Sequence, residues 1–279
     1  MPELPEVETV RKGLEGVLVG ARLARVEARR PDLRFPLPEG FVQRLTGARV
    51  DALTRRGKYM LASLDRATTL LVHLGMTGRF EIEADGAQGE RAPSKHAHIV
   101  FETDRGARIT FFDPRRFGFM DLVDAAALAT HPRLAGLGPE PLDGQFNPTH
   151  LKQAFAGRRQ GAKTLLLDQR IVAGLGNIYV CEALHRARIS PVKPAAAVRP
   201  RQLQMLAPAI QAVLGEAIDK GGSTLRDFAA TDGTLGYFQH SFAVYDREHE
   251  PCLTPDCRGV VRRVVQGGRS TFYCPTCQR

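Results

Sequence analysis

Four of the chain's five cysteines, Cys252, Cys257, Cys274 and Cys277, fall within its last 28 residues in the spacing C-x4-C-x16-C-x2-C. Two close pairs separated by about 15 to 20 residues suit tetrahedral thiolate coordination of zinc, because each pair supplies two sulfurs from one tight turn. Pro251, Pro255 and Pro275 favour those turns. Two disulfides would need an oxidising compartment. With all four ligands from the protein, one Zn2+ would be structural, with no open position for catalysis. Between the pairs, Gly259 to Tyr273 reads as two short strands joined by a glycine turn, a β-hairpin finger. Cys181 stands apart on an apolar helical stretch and reads as a packed core thiol.

A second chemistry is available at the other end of the chain. Removal of Met1 would expose the secondary amine of Pro2, which can attack an electrophilic sugar carbon and form an iminium. That amine acts only when unprotonated, a state favoured by a helix N-terminus and a nearby cation. Glu3, the next residue, could shuttle protons, and Lys58, in Arg55-Arg56-Gly57-Lys58-Tyr59-Met60, could be the cation. Taken singly, Pro2 reads as an ordinary terminus and Lys58 as a solvated charge.

Three further segments offer contacts. Asp113-Pro114-Arg115-Arg116-Phe117-Gly118 couples two guanidiniums to an aromatic on a turn after a strand, either a probe of phosphates and bases or a surface turn with a buried Phe. His73-Leu74-Gly75-Met76-Thr77-Gly78 runs from a strand end into a glycine turn that would project Met76. Gly174-Leu175-Gly176-Asn177 enters a helix, with backbone amides for an anion or a plain glycine cap. His96 and His98 have no evident third metal ligand.

The elements that must position these residues follow from periodicity. Val7, Val10, Leu14, Val17 and Leu18 recur at helical spacing, with Pro5 suited to a first turn and Glu6 and Glu8 at the positive end of the dipole. Six runs then predict strands: 21–26, 58–64, 68–74, 79–82, 98–102 and 108–112, with a hairpin turn at Asp104-Arg105-Gly106. Residues 131–148 are rich in Pro and Gly without periodicity. Helical patterns follow at 149–156, 162–170, 177–187 and 200–220, the last closed by Gly221-Gly222. The expected architecture is α+β: an N-terminal β-sandwich over 2–130 with a flanking N-terminal helix, a linker over 131–148, a helical domain over 149–242 and a zinc finger over 243–279.

The charge balance limits the partners. Lys and Arg number 39 against 30 acidic residues, a net +9 that favours a polyanion. Only seven of the 39 are lysines, and biased base composition in the genome is the bland alternative explanation for so many arginines. The last 28 residues, however, carry Arg258, Arg262, Arg263, Arg269 and Arg279 against Asp256 alone, which reads as a contact surface. No apolar run approaches the roughly 20 residues of a membrane span, and the first residues lack signal-peptide character, so a cytosolic protein is expected.

Taken together in order, Pro2-Glu3-Leu4-Pro5-Glu6-Val7-Glu8, Lys58-Tyr59, His73-Leu74-Gly75-Met76, Asp113 to Gly118, Gly138-Pro139-Glu140-Pro141-Leu142, Gly176-Asn177-Ile178-Tyr179 and the cysteine ribbon resemble the bacterial formamidopyrimidine-DNA glycosylases over residues 2–279. The resemblance implies a bifunctional base-excision repair enzyme of the bacterial cytoplasm, associated with the nucleoid through DNA. It would excise 8-oxoguanine and formamidopyrimidines from double-stranded DNA and cleave abasic sites by β,δ-elimination, as a monomer and with no organic cofactor. It makes Pro2 the Schiff-base nucleophile, Glu3 the proton donor and acceptor, Lys58 the residue of β-elimination and Arg269 that of δ-elimination. Met76, Arg115 and Phe117 would fill the gap left by a flipped nucleotide, and His96, Arg115, Arg158 and Asn177 would contact the DNA backbone. The helical module would be a helix-two-turn-helix, and residues 223–241 a loop over the everted base. Two readings compete: an endonuclease VIII-like glycosylase for oxidised pyrimidines, and a non-catalytic zinc-finger DNA-binding protein.

Overall fold

The computed structural model describes residues 2–83, 94–224 and 230–279. The chain forms two compact units, one of Met1–Ala135 with Gly221–Tyr237, the other of Gly136–Lys220 with Phe238–Arg279.

The first unit opens with helix α1 (Leu4–Leu18), which buries Leu4, Val7, Val10 and Leu14 as its spacing predicts. Two four-stranded antiparallel sheets follow. One has the order β1 (Leu23–Ala28), β6 (Ala97–Thr103), β7 (Arg108–Phe112), β5 (Arg79–Glu83); the other has β2 (Val50–Arg56), β3 (Tyr59–Leu64), β4 (Thr68–His73), β8 (Phe119–Asp124). A short helix α2 (Phe41–Leu45) lies between β1 and β2. The core joins both sheets and α1 through Val10, Leu14, Leu53, Met60, Phe80, Ile109 and Phe111. The β-sandwich and flanking helix are as expected. The two strands outside the six predicted runs, β2 and β8, are the edges of one sheet. In β2 only Val50 and Leu53 are buried, with Asp51 and Ala52 between them and Thr54, Arg55 and Arg56 beyond.

The second unit holds α3 (Pro148–Phe155), α4 (Ala162–Leu166), α5 (Asn177–Arg186), α6 (Pro200–Asp219) and the hairpin β9 (Arg262–Gln266), β10 (Arg269–Tyr273). The hairpin turn is Gly267-Gly268, both at positive φ, the backbone that a tight hairpin of this twist demands. Helix α4 ends sooner than its pattern suggests, since Leu167 and Asp168 turn through hydrogen bonds to Lys163 O and Leu165 O.

The expected boundaries shift in two places. Within 131–148, Leu134 and Phe146 are buried, and Gly138 N donates to Gln169 O while Pro139 O accepts from Ala173 N. The segment is packed backbone rather than an open linker. Residues 221–237, expected with the helices, belong to the N-terminal unit because their polar groups are satisfied there: Ser223 N donates to Glu6 Oε1 (2.8 Å) and Ile82 N to Thr231 O (3.0 Å). Among the described residues no helix is long and apolar enough to cross a membrane.

Candidate active site and nucleic-acid interface

Strand register gathers the sequence-predicted residues of the first unit. Tyr59 pairs with His73 and His73 with Phe119, so β3 begins, β4 ends and β8 begins at one edge of the sheet. Lys58 precedes that row, the Met76 turn follows His73, and the Arg115–Phe117 turn precedes Phe119. The two turns interlock. A Cβ on Gly75, already at φ +64, would lie 2.2 Å from the Phe117 carbonyl carbon, so only glycine permits the approach.

Asp113 builds the second turn from inside. It is fully buried, accepts the Thr77 hydroxyl (2.6 Å) and Gly118 N (2.7 Å), and its carbonyl contacts His98 Nε2 (2.9 Å). The Thr77 oxygen in turn accepts Arg115 N (3.2 Å). With the polar groups turned inward, Arg115 and Phe117 are displayed outward, the guanidinium 4.7 Å from the ring centroid and Phe117 39% exposed. Phe117 on this turn is therefore exposed rather than buried. His96 stands at the start of β6, its carbonyl accepting Asp113 N (3.1 Å), and His98 is a buried structural residue.

Pro2 and Glu3 are buried just ahead of α1. Glu3 N donates to Glu6 Oε2 (2.8 Å), and the other Glu6 oxygen takes Ser223 N, so one buried carboxylate fixes both the N-terminal backbone and the 221–237 segment. A Cβ on Gly222 would stand 2.9 Å from Glu6 Oε1. Glu8, the fifth residue of α1, pairs with Arg55 (3.1 Å), whose guanidinium also donates to Gly57 O (3.0 Å). This chain of contacts ties the Lys58 turn to the N-terminal half of α1. Lys58 itself is only 8% exposed. Residues 225–229 of the expected 223–241 loop lie outside the described residues.

His73, Glu6, Arg34 and Arg133 were not singled out by sequence as site residues. His73 stacks on Phe119 (5.4 Å, 11°), and Arg133 lies over Phe119 and Phe35 at 4.2 and 4.4 Å. Burial, then the charges of Lys58, Arg34 and Arg133, pull the His73 pKa down to about 4, leaving a neutral imidazole beside the lysine. Its only sequence signal is its place at the strand end before the Gly75 turn.

The second unit carries the remaining residues. Arg158 is exposed after α3 and Arg269 at the tip of the finger hairpin. Asn177 opens α5, its amide donating to Ser270 O (3.0 Å) and Tyr245 OH (3.3 Å), while its buried Oδ1 has no hydrogen-bond partner among the described residues. Lys163, a residue with no sequence signal, is fully buried and donates to Ser270 O (3.1 Å) and the Thr271 hydroxyl (2.6 Å), bracing the strand that bears Arg269.

The cysteines converge as their spacing requires. All four sulfurs lie within 4.8 Å of one another, and Cys252–Cys277 and Cys257–Cys274 are each 3.7 Å apart. Tetrahedral Zn–S bonds of about 2.3 Å imply sulfur separations of about 3.8 Å, so the donor set fits zinc and excludes disulfides. Burial disfavours the Cys252 thiolate, yet hydrogen bonds from Thr254 and His185 outweigh it and bring the pKa to about 6, while burial and the Cys252 charge push Cys277 to about 12. A divalent cation would relieve that repulsion and allow four thiolates.

The formamidopyrimidine-DNA glycosylase N-terminal domain matches residues 1–120, the H2TH domain of that enzyme 137–229, and a zinc finger found in FPG and IleRS 250–279. Formamidopyrimidine-DNA glycosylases of Phenylobacterium zucineum and Caulobacter vibrioides are 65% and 63% identical to this chain, each match covering 100% of both proteins. Among solved structures, MutM (Fpg) of Thermus thermophilus shares 40% identity at TM-score 0.86, covering 99% of this chain and 98% of that one. A Lactococcus lactis FPG mutant in complex with Fapy-dG-containing DNA shares 32% at TM-score 0.89, covering 100% of both. With these full-length matches and the conserved order of its three modules, the chain belongs to the formamidopyrimidine-DNA glycosylase family.

Proposed function

We propose that this chain is a bifunctional DNA glycosylase and abasic-site lyase of base-excision repair, acting on oxidised purines in double-stranded DNA. The observation that carries the reading is the buried assembly at the start of α1, where Glu6 holds the Glu3 backbone and the Glu8–Arg55–Gly57 contacts bring up the Lys58 turn. Such an arrangement serves a reacting terminus and is superfluous for a protein that only binds.

After Met1 is removed, the Pro2 amine attacks C1′ of the damaged nucleoside and displaces the base, which leaves with the amine's proton; the C1′–O4′ bond then opens, O4′ taking a proton from Glu3, and the C1′–N bond becomes an iminium. The positive end of α1 and the Lys58 charge favour the unprotonated amine. Glu3 moves protons at the sugar, Lys58 serves the loss of the C2′ proton that expels the 3′ phosphate, and Arg269 serves the δ-elimination. Excision needs the nucleotide outside the helix, at a cost of a few kcal/mol, which Met76, Arg115 and Phe117 offset by filling the gap. His96, Arg115, Arg158 and Asn177 hold the backbone. Cys252, Cys257, Cys274 and Cys277 would hold one Zn2+, which orders the finger that carries Arg269. One set of these residues per chain is sufficient for a monomer, and work on chromosomal DNA places it in the bacterial cytoplasm, at the nucleoid.

Borohydride trapping on a duplex with 8-oxoguanine opposite cytosine tests the reading. A covalent adduct mapped to Pro2 by mass spectrometry and absent from Pro2→Gly is expected. Adducts confined to oxidised pyrimidines would assign the chain to the endonuclease VIII branch, and tight binding without adduct or base release would leave a DNA-binding protein.

A further inference from the structure

Three polar side chains of helix α5 reach the finger and the segment that leads into it. Asn177 donates to the finger at Ser270 O, and the buried Glu182 carboxylate accepts Ala243 N (2.9 Å), Val244 N (3.0 Å) and Tyr245 N (2.8 Å). The third is His185, in the last turn, 7% exposed, with Nε2 3.5 Å from Cys252 Sγ and 3.2 Å from Thr254 Oγ1. Thr254 extends the contact, its N–H reaching Cys252 Sγ (3.5 Å) and its hydroxyl lying 3.7 Å from Cys277 Sγ. Gly259 N also reaches Cys257 Sγ (3.4 Å), so three of the four sulfurs face hydrogen-bond donors, and the His185 donor comes from a helix outside the finger.

The sulfur set already completes a tetrahedron, so the imidazole is not needed as a ligand. With the proton on Nε2, its single N–H is directed at the Cys252 sulfur and the Thr254 oxygen, and the Thr254 hydroxyl hydrogen is free to point at Cys277. Every hydrogen then faces a sulfur that carries negative charge when metal is bound. Hydrogen bonds of this kind disperse thiolate charge, fix the direction of the lone pair toward the ion and commonly govern metal affinity 10- to 100-fold, as an order of magnitude.

We propose that His185 is a positioning residue for the metal, donating to the Cys252 thiolate so that retention of zinc by the finger depends on helix α5. Loss of the ion would also free the C-terminal turn of α5 from the finger.

The test is zinc transfer from the full-length protein to the chromogenic chelator 4-(2-pyridylazo)resorcinol, with no DNA present, so that it is independent of the catalytic reading. His185→Phe keeps the ring volume and removes the donor, whereas His185→Gln can present an amide N–H near the Nε2 position. Zinc release about 10-fold faster or more is expected for His185→Phe, with His185→Gln within about 3-fold of wild type. In the cobalt-substituted proteins, the sulfur-to-metal charge-transfer band should move to lower energy in His185→Phe alone. Wild-type release from His185→Phe would overturn the proposal. Equal acceleration by both variants would overturn it too, by assigning the effect to packing.

Discussion

Arg115 and Arg269 are both exposed arginines beside strand connections, Arg115 where the chain crosses from β7 in one sheet to β8 in the other and Arg269 where β10 leaves the hairpin turn, yet the two connections are secured in opposite ways. The Arg115 turn is held from within by the Asp113 carboxylate and by strand register in a large core. The Arg269 hairpin is a lone two-stranded ribbon, too small for a core of its own, and relies on the cysteine cluster and on Lys163 and Asn177 gripping Ser270 O. Where a sheet supplies burial, one satisfied carboxylate is enough to shape a loop. Where it does not, a metal and a buried cation take over.

The largest expected effect separates the two regions by zinc. Chelation removes binding free energy on the order of 10 kcal/mol from the finger and should abolish hydrogen-exchange protection in 262–273, while 59–64 and 68–73 stay protected. Equal loss in both regions would mean that the units fold as one.

Next in size, Asp113→Ala leaves the Thr77 hydroxyl and Gly118 N–H without their acceptor. A destabilisation of about 3 kcal/mol in urea unfolding is expected, with zinc content unchanged and DNA affinity reduced. Retained stability would show that water replaces the carboxylate.

The smallest is a pH effect at His73. Its folded pKa, about 4, lies below the ordinary value of 6.5, so the unfolded chain takes up the proton first as pH falls. Stability from this group is complete above pH 6.5 and is lost progressively as pH falls to about 4, by at most about 3 kcal/mol. His73→Phe should flatten the dependence of the urea midpoint between pH 6.5 and 4 relative to wild type.

Much of this was legible along the chain because it depends on near neighbours. The α1 face, the Gly267-Gly268 turn and the cysteine pairs involve residues a few positions apart. The edge strands β2 and β8 were less legible because neither alternates: β2 buries only Val50 and Leu53, whereas β8 buries Phe119, Met120, Leu122 and Val123. Lys163 reads like any helical lysine and Glu182 like any helical glutamate, although both are buried and fully engaged.

What the sequence by itself determined, then, is the inventory of chemistry: a proline amine, a ring of thiolates, an arginine–aromatic turn and the glycines that shape the turns around them. Only the tertiary structure decided which charges are buried and what they hold. Glu6 meets Ser223 across 217 positions and Lys163 meets Ser270 across 107, and the desolvation that makes such contacts obligatory arises only once distant segments exclude water together.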